Sequence, residues 1–462
     1  MKTCPMNKTC IYISFLMMTG GLSASADNPI VQTCFTTDPA PMVHDGRLYV
    51  YTGHDENNAD FFWMQEWRVY STDDMVNWTD HGSPLAIEDF SWGDDRAWAP
   101  QCVERNGKFY LYVPLHSKLS GTMAIGVAVG ESPTGPFKDA IGAPLADGSW
   151  DYIDPTVLID DDGQAYLYWG NPEIYYVKLN EDMVSYSGDI KKVEQTVMGF
   201  GAPGPQSRED GVKYRDNYTE GPWIYKREGK YYLLYAAGGV PEHISYSMSD
   251  SPEGPWKYMG EIMPLCDTGS FTNHCGVADY KGKSYFFYHT GKLPGGGGFG
   301  RSVAVESFDY NPDGTIPEIL PSESGVPAVG TLDPYGRIEA ETMAWSQGVK
   351  TEPNDSTGVY VSDIHNGDFI KLANVNFKSG GPKTFGACVA SALRGGTIEV
   401  RMDNADGPLV ATLEVPGTGG WENWRYMEVP VMSEVSGVHD IYFLFKGRKG
   451  PKLFNIDYWR FK

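Results

Sequence analysis

Three carboxylic acids occupy matching positions in this chain of 462 residues, namely Asp38, Asp154 and Glu220. Each lies eight or nine residues before the glycine of a tight turn, and each is followed by proline or by Gly-Pro. Two carboxyl groups can hydrolyse a glycosidic bond when an ionised one activates water and a protonated one donates to the leaving oxygen. A third acid nearby raises the pKa of the donor. The three residues predict acid–base hydrolysis of this kind if the fold brings them together.

Turn formation is the simplest explanation for a single acid before proline. Trp98 and His274, however, stand at the same distance from turn glycines of their own. A purely structural turn would place one residue type at all five positions, and here the types differ. This variety indicates that the five positions share a geometry and serve different functions.

One pattern occurs five times along the chain: a Gly turn followed by a strand of aromatic and apolar residues, which is typical of a β-hairpin. Successive turn glycines lie 61, 56, 66 and 53 residues apart, enough for about four short strands per repeat. Five such sheets arranged radially form a five-bladed β-propeller, which leaves only short edges exposed. If the strand before each turn is innermost, the five residues point into one central funnel. The turn glycines are Gly46, Gly107, Gly163, Gly229 and Gly282.

The chain changes character after the repeats. Residues 321–335 are rich in Pro and Gly and poor in aromatics, which predicts a linker or a segment that runs along the surface of a domain. Residues 336–462 return to short alternating strands and have the length of one β-sandwich. The predicted fold class is therefore all-β, with a five-bladed β-propeller over residues 27–320 followed by the sandwich.

The N-terminal segment predicts export. Residues 1–26 carry Lys2 and Lys8, a short apolar run and small residues at the end, the pattern of a signal peptide cleaved after Ala26. We therefore expect a secreted or periplasmic protein, and no later apolar stretch is long enough to cross a bilayer. Cleavage would take the formal net charge from -23 to -25. Such an acidic surface repels nucleic acid and anionic lipid and favours a neutral partner.

The motifs Asp38-Pro, Asp154-Pro-Thr and Glu220-Gly-Pro together resemble those of glycoside hydrolase family 43, over about residues 30–320. The resemblance implies a general base at Asp38, a general acid at Glu220 and a modulator at Asp154, with inversion at the anomeric carbon and no organic cofactor. It also implies an exo-acting enzyme on plant cell-wall pentose polysaccharides or oligosaccharides. An α-L-arabinofuranosidase acting on arabinoxylan is the first expectation, and a β-1,4-xylosidase is the alternative. Two further alternatives are a non-catalytic carbohydrate-binding protein and a structural protein, neither of which would hydrolyse a glycoside.

The same resemblance suggests further site residues in the first domain. His274 matches a histidine that holds a central calcium ion or water cluster, although an ordinary buried histidine explains it as well. Arg301 matches an arginine that faces the sugar, which is favoured over an exposed strand arginine. Trp98 resembles an aromatic wall of the pocket, with packing in the core as the alternative. His54 and Asp55 follow the first hairpin and are expected at the edge of the pocket, unless they belong to a solvated loop.

The last 127 residues resemble carbohydrate-binding module family 6, a jelly-roll β-sandwich, in the segments RIEAETMAW, HNGDFIKLANVNF and FNIDYWRF. This implies a structural calcium site at Glu339, Glu341 and Asp457. It also implies a sugar-binding cleft that uses Trp421 and Asn455. Asp363 stands where the family has a second stacking aromatic residue, so the module is expected to bind weakly, to use another cleft, or to brace the first domain.

Overall fold

The computed structural model of the protein describes residues 27–203 and 217–462, and its strands form two β-domains. The predicted signal peptide lies outside these residues. Five antiparallel sheets follow one another up to residue 308 and are the blades of a five-bladed β-propeller. Two further sheets form the predicted β-sandwich. In the described part of the chain, no helix is long and apolar enough to cross a bilayer.

The first two blades are the most elaborate. Blade 1 contains β1 (Thr37–His44), β2 (Arg47–Gly53), β3 (Glu66–Thr72), β4 (Trp78–Asp80) and β5 (Leu85–Ala86), and a single 3₁₀ turn (Ile87–Asp89) follows it. Blade 2 contains β6 (Gly93–Asp95), β7 (Gln101–Arg105), β8 (Lys108–Ser117), β9 (Met123–Gly130), β10 (Lys138–Asp139) and β11 (Ala146–Asp147). In blade 2 the long strand β8 pairs with β6, β7 and β9.

The other three blades are simple meanders. Blade 3 contains β12 (Thr156–Ile159), β13 (Ala165–Trp169), β14 (Tyr175–Leu179) and β15 (Tyr186–Lys192), followed by the one-turn helix α1 (Val197–Phe200). Blade 4 contains β16 (Tyr218–Arg227), β17 (Lys230–Ala237), β18 (His243–Ser249) and β19 (Lys257–Met263). Blade 5 contains β20 (Gly276–Tyr280), β21 (Lys283–Thr290) and β22 (Ser302–Phe308).

The predicted hairpin turns have the geometry that their glycines allow. In four of the five, a non-glycine residue and the glycine after it both have positive φ, the conformation of a type I′ turn. This turn matches the right-handed twist of the strands it joins, so each inner strand pairs closely with the next. The four pairs are Asp45-Gly46, Asn106-Gly107, Glu228-Gly229 and Lys281-Gly282.

Blade 5 departs from the predicted four strands, because its outer edge pairs with the start of the described chain. The backbone N–H of Ile30 donates to the carbonyl of Val303 at 2.9 Å, and that of Thr36 donates to the carbonyl of Arg301 at 2.9 Å. These bonds satisfy the edge of β22 and close the ring between its first and last segments.

The sandwich consists of a six-stranded and a five-stranded sheet around one apolar core. The first sheet contains β23 (Ile338–Glu339), β26 (Lys350–Asn354), β27 (Gly358–Ser362), β29 (Thr384–Ser391), β32 (Gly420–Pro430) and β34 (Asn455–Phe461). The second contains β25 (Trp345–Gln347), β28 (Phe369–Asn376), β30 (Gly396–Met402), β31 (Leu409–Val415) and β33 (Val438–Lys446). The remaining strand, β24 (Thr342–Met343), pairs with β4 of the propeller.

Direct hydrogen bonds join the two domains. The side chain of Asn77 donates to the carbonyl of Ala373 at 2.8 Å and accepts from the N–H of Ala373 at 2.9 Å. The hydroxyls of Thr79 and Thr342 lie 2.8 Å apart at the β4–β24 pair. The sandwich is therefore hydrogen-bonded directly to blade 1.

Candidate active site

A cavity of about 500 Å³ opens in the propeller, and residues from all five blades line it. Each blade contributes a residue at or just before its first full-length strand, eight or nine residues before the turn glycine. The structure thus brings together Asp38, Trp98, Asp154, Glu220 and His274.

Asp38 and Asp154 both have left-handed backbone conformation, with φ of 51° and 58°. This region costs a non-glycine residue energy, and aspartate is among the residues that tolerate it best. Such conformations persist where the surrounding structure over-determines them. Both residues line the cavity.

Asp38 is an ionised carboxylate held by an arginine. Only 6% of the residue is exposed, and one carboxylate oxygen lies 3.3 Å from a terminal nitrogen of Arg301. Burial alone would raise the pKa of Asp38, but Arg301, together with His289 and His274, outweighs it and holds that pKa well below its usual range. Asp38 is therefore charged at neutral pH and can accept a proton from water.

Arg301 is fixed from behind by Asp55. Its Nε and one terminal nitrogen each donate to a different Asp55 oxygen at 2.9 Å, and its backbone N–H donates to the same carboxylate. Both side chains are almost completely buried, so the bidentate pair is strong and geometrically specific. Asp55 positions Arg301 and does not line the cavity.

His289, which the sequence did not single out, supports the strand that carries Asp38. Its Nε2 lies 2.9 Å from the carbonyl oxygen of Thr272, so this nitrogen carries the proton. Its Nδ1 lies 3.2 Å from the hydroxyl of Thr37, 3.4 Å from the backbone nitrogen of Asp38 and 3.3 Å from the Asp38 carboxylate. The imidazole thus holds the start of β1 against blade 5.

Asp154 lies between the other acids. One carboxylate oxygen accepts from the backbone N–H of Gly221 at 3.0 Å. Burial raises the pKa of Asp154 well above its usual value, and the charges of Glu220 and Asp38 add to this effect. The three carboxyl groups are therefore close enough to influence one another's protonation.

Two residues that the repeat analysis missed support Glu220. The side-chain amide of Asn171 donates a hydrogen bond to Glu220 and also lines the cavity. Glu242 is a buried fourth acid whose carboxylate accepts from the N–H of Asn273 at 2.7 Å. Burial raises the pKa of Glu242 well above its usual value, and the charge of Glu220 raises it further. Both residues lie in connections between strands, where no repeated pattern marks them.

Aromatic side chains form one wall of the cavity. Trp98 donates from its indole nitrogen to the carbonyl of Phe62 at 3.0 Å, and its ring lies edge-on to that of Phe62. Phe61 continues this wall, and Trp150 lines the cavity from the loop that precedes Asp154. Faces of this kind suit the apolar side of a sugar ring.

His54 is not brought to this cavity. Its Nδ1 lies 3.0 Å from a carboxylate oxygen of Glu66, and neither His54 nor Asp55 is among the lining residues. The structure therefore does not place His54 and Asp55 on the cavity lining: His54 is next to Glu66, and Asp55 is paired with Arg301.

Trp421 and Asn455 do meet in the sandwich. Asn455 is fully buried, and its side-chain amide donates to the carbonyl of Trp421 at 2.8 Å. Lys452 lies 4.9 Å above the ring of Trp421. The amide of Asn455 is thus engaged in a hydrogen bond within the protein, and the ammonium group of Lys452 lies over the indole of Trp421.

The predicted calcium ligands do not form a metal site in the described residues. No group of three or more His, Cys, Asp or Glu side chains there is arranged to hold an ion. The guanidinium of Arg337 binds Glu339 at 2.7 and 2.9 Å and lies 3.4 Å from Asp457, so it neutralises both acids. Glu341 faces the domain junction and His274 faces Asp38. These donors do not fit a calcium ion as arranged, and no step of the reaction is assigned to one.

Comparison with known proteins agrees with both domains. Residues 26–316 match the model of glycosyl hydrolases family 43, and residues 339–462 match that of the carbohydrate binding module family 6. An arabinoxylan arabinofuranohydrolase of Paenibacillus polymyxa is 35% identical, over 94% of this chain and 74% of that protein.

Two solved structures extend the similarity. A glycoside hydrolase family 43 arabinoxylan arabinofuranohydrolase from Bacillus subtilis, solved with cellotetraose, superposes with a TM-score of 0.81 at 33% identity, over 95% of this chain and 99% of that one. A family 43 β-xylosidase/α-arabinofuranosidase from a compost metagenome, solved with xylotriose in a calcium-free form, has a TM-score of 0.57 at 31% identity, over 64% of this chain and 98% of that one. The propeller, its acid-lined cavity and these matches together show that the chain belongs to glycoside hydrolase family 43.

Proposed function

We propose that the protein is an inverting, exo-acting α-L-arabinofuranosidase that removes side chains from arabinoxylan. The observation that carries the proposal is the set of three carboxylic acids, Asp38, Asp154 and Glu220, around one cavity of about 500 Å³. Its specificity is supported by similarity across both domains to arabinoxylan arabinofuranohydrolases. A neutral polysaccharide also suits the acidic chain.

In this proposal Asp38 is the general base. Arg301 keeps its carboxylate ionised, so Asp38 accepts a proton from a water molecule as that water attacks the anomeric carbon. Asp55 and His289 keep the base in place, because they fix Arg301 and the backbone of β1 respectively. The hydroxide equivalent enters on the face opposite the leaving group, which inverts the anomeric configuration.

Glu220 is the general acid that protonates the leaving oxygen of the xylan backbone. Asn171 orients its carboxyl group, and Asp154 is bonded to the peptide that directly follows it. Two carboxylates this close repel each other when both are ionised, so Asp154 and Glu220 together retain a proton at the pH at which Asp38 is already ionised. The environments of the acids thus separate their roles.

A β-1,4-xylosidase is the alternative. It is favoured by the similarity of the propeller to a β-xylosidase/α-arabinofuranosidase solved with xylotriose. Against it, the arabinofuranohydrolase from Bacillus subtilis covers both domains of this chain at a higher TM-score. The two activities leave different products, so they are separable by experiment.

The test is digestion of arabinoxylan and of linear xylo-oligosaccharides, with free sugars separated by chromatography. We expect arabinose from arabinoxylan and no shortening of the backbone. Xylose from the linear oligosaccharides without arabinose from arabinoxylan would establish the alternative. Asp38→Asn and Glu220→Gln serve as inactive controls, and release of neither sugar by the wild type would favour a non-catalytic binding protein. Proton NMR of fresh product should show the inverted anomer first.

We further propose that the sandwich mainly braces the propeller and that the protein is exported. Bracing is supported by the hydrogen bonds of Asn77 and Thr79 to the sandwich and by Asp363, a non-aromatic residue at the position of the second stacking ring. Export depends on the signal pattern of residues 1–26 alone. Detection of the mature N-terminus by mass spectrometry would test it.

A further inference from the structure

Trp150 is a large aromatic residue that remains exposed beside the acid-lined cavity. Its side chain is 55% exposed, yet it is among the lining residues together with Asp154 and Glu220. Tryptophan is usually well buried because its ring contributes a large apolar surface. The exposure of the Trp150 indole at the mouth of the cavity is therefore unusual.

The loop that carries Trp150 is firmly attached to the propeller. The N–H of Tyr152 donates to the carbonyl of Ser149 at 3.2 Å, which closes a turn around Trp150. The carboxylate of Asp151 accepts from the hydroxyl of Tyr175 at 2.9 Å. The same segment continues within three residues to Asp154. The indole thus has a fixed position relative to the acids.

Arg96 and His116 hold the ring itself. The guanidinium carbon of Arg96 lies 5.5 Å from the centre of the Trp150 ring, and the His116 ring lies 5.6 Å from it. Arg96 is clamped in turn by Asp95, whose carboxylate accepts from its backbone N–H at 2.7 Å and from its side chain at 2.8 Å. Arg96 also lies 5.8 Å from the ring of Trp98 on the cavity wall. A cation between two aromatic rings keeps both in place without covering Trp150.

We propose that Trp150 is the stacking platform for the backbone xylosyl residue that carries, or adjoins, the sugar being cleaved. The inference rests on the proposed pentosidase function and names the residue that selects a polymeric substrate. The cleaved sugar enters the cavity with the acids, and its leaving group must remain at the mouth, where the exposed indole offers an apolar face. Because the platform lies at the mouth of the cavity, it contributes more to substrates with a sugar leaving group than to those without one.

A matched pair of variants tests this. Trp63 is 40% exposed and neighbours Phe61, but it is not among the lining residues, so Trp63→Ala is the control for Trp150→Ala. Each is assayed on arabinoxylan and on methyl α-L-arabinofuranoside, whose leaving group is methanol. Loss of one stacking contact should lower kcat/KM of Trp150→Ala on arabinoxylan roughly tenfold, mainly through KM. The loss on the methyl glycoside should be several-fold smaller than the loss on arabinoxylan, and Trp150→Phe should recover most of the loss on arabinoxylan.

Two outcomes would overturn the platform: an unchanged kcat/KM of Trp150→Ala on arabinoxylan, or an equal loss on both substrates, which would indicate a role in folding or inside the pocket. A loss of the same size in Trp63→Ala would also count against it. The wild type distinguishes failure of the proposed function. If the wild type releases only xylose from xylo-oligosaccharides, xylotriose and methyl β-D-xylopyranoside replace the two arabinofuranosides. A larger loss of kcat/KM by Trp150→Ala on xylotriose would then support the platform, and an equal loss on both would overturn it.

Discussion

The carboxylate of Asp154 accepts a hydrogen bond at 3.0 Å from the N–H of Gly221, the residue directly after Glu220. This bond connects blade 3 to blade 4 directly next to Glu220, the proposed general acid. Gly221 has a φ of 61°, and a Cβ built on it would lie 3.0 Å from Nδ1 of His274. Glycine is thus required at position 221 for two reasons, the positive φ and the close approach of His274.

We predict that Gly221→Ala lowers turnover strongly, because the added methyl group pushes against His274 and displaces the peptide that Asp154 holds. Gly46→Ala is the control, since Gly46 also has a positive φ of 75° but no atom within 4 Å of the added Cβ. Both substitutions should cost about 1–2 kcal/mol of stability from left-handed conformation. Only Gly221→Ala should lose activity in a pentoside assay at a temperature where both are folded. Equal activity in the two variants would contradict this account.

The propeller and the positions of its five central residues could be predicted from the sequence because one local rule produces both. A type I′ turn requires positive φ at two successive residues, so four of the five turn glycines mark such hairpins, and a count of eight or nine residues back from each turn glycine reaches the cavity. Family resemblance added Arg301 at the cavity wall. The sandwich followed from its short alternating strands and segment motifs.

The supporting residues could not be predicted in the same way. Asp55 looks like a solvated loop residue, and its partner Arg301 is 246 positions away, so only the closed ring reveals the pair. His289, Glu242 and Trp150 carry no repeated signal either. Glu339 and Asp457 were predicted as calcium ligands, but both lie against Arg337, whose long side chain reaches both carboxylates.

Asp154→Asn should change the pH dependence of turnover as well as its size. In the wild type, burial and the charge of Glu220 raise the pKa of Asp154, so the two acids titrate as a pair and lose their last proton at a higher pH than an isolated glutamic acid. With asparagine at position 154, Glu220 titrates without this like charge, and its pKa falls. The alkaline limb of the kcat profile should move to lower pH, and turnover should fall about 10²–10⁴-fold. A superimposable profile would remove Asp154 from the modulating role.

Arg301→Gln should move the acidic limb of the profile in the opposite direction. The Arg301 charge lowers the pKa of Asp38 against the effect of burial, and the base works only while ionised. Activity is therefore present above that pKa and disappears as the pH falls through it. Without the guanidinium the pKa of Asp38 rises, so activity should be lost at a higher pH, as measured by kcat/KM on an arabinofuranoside. Arg301→Lys, which keeps a positive charge, should lie between the two. An acidic limb that does not move would show that Asp38 is held ionised by other groups.

Asp55→Ala should destabilise the propeller through the same network. Asp55 is 1% exposed and binds Nε and one terminal nitrogen of Arg301, which is itself 4% exposed. The substitution therefore leaves a buried guanidinium whose remaining ion pair is the 3.3 Å contact to Asp38. Removal of one partner of a buried ion pair typically costs about 3–5 kcal/mol. Asp309→Ala removes an exposed pair with Lys283 at 3.5 Å and should cost at most about 1 kcal/mol. Urea denaturation followed by tryptophan fluorescence would measure both midpoints. If the midpoint of Asp55→Ala matched that of Asp309→Ala, Asp38 alone would suffice to hold Arg301, and the positioning role of Asp55 would be wrong.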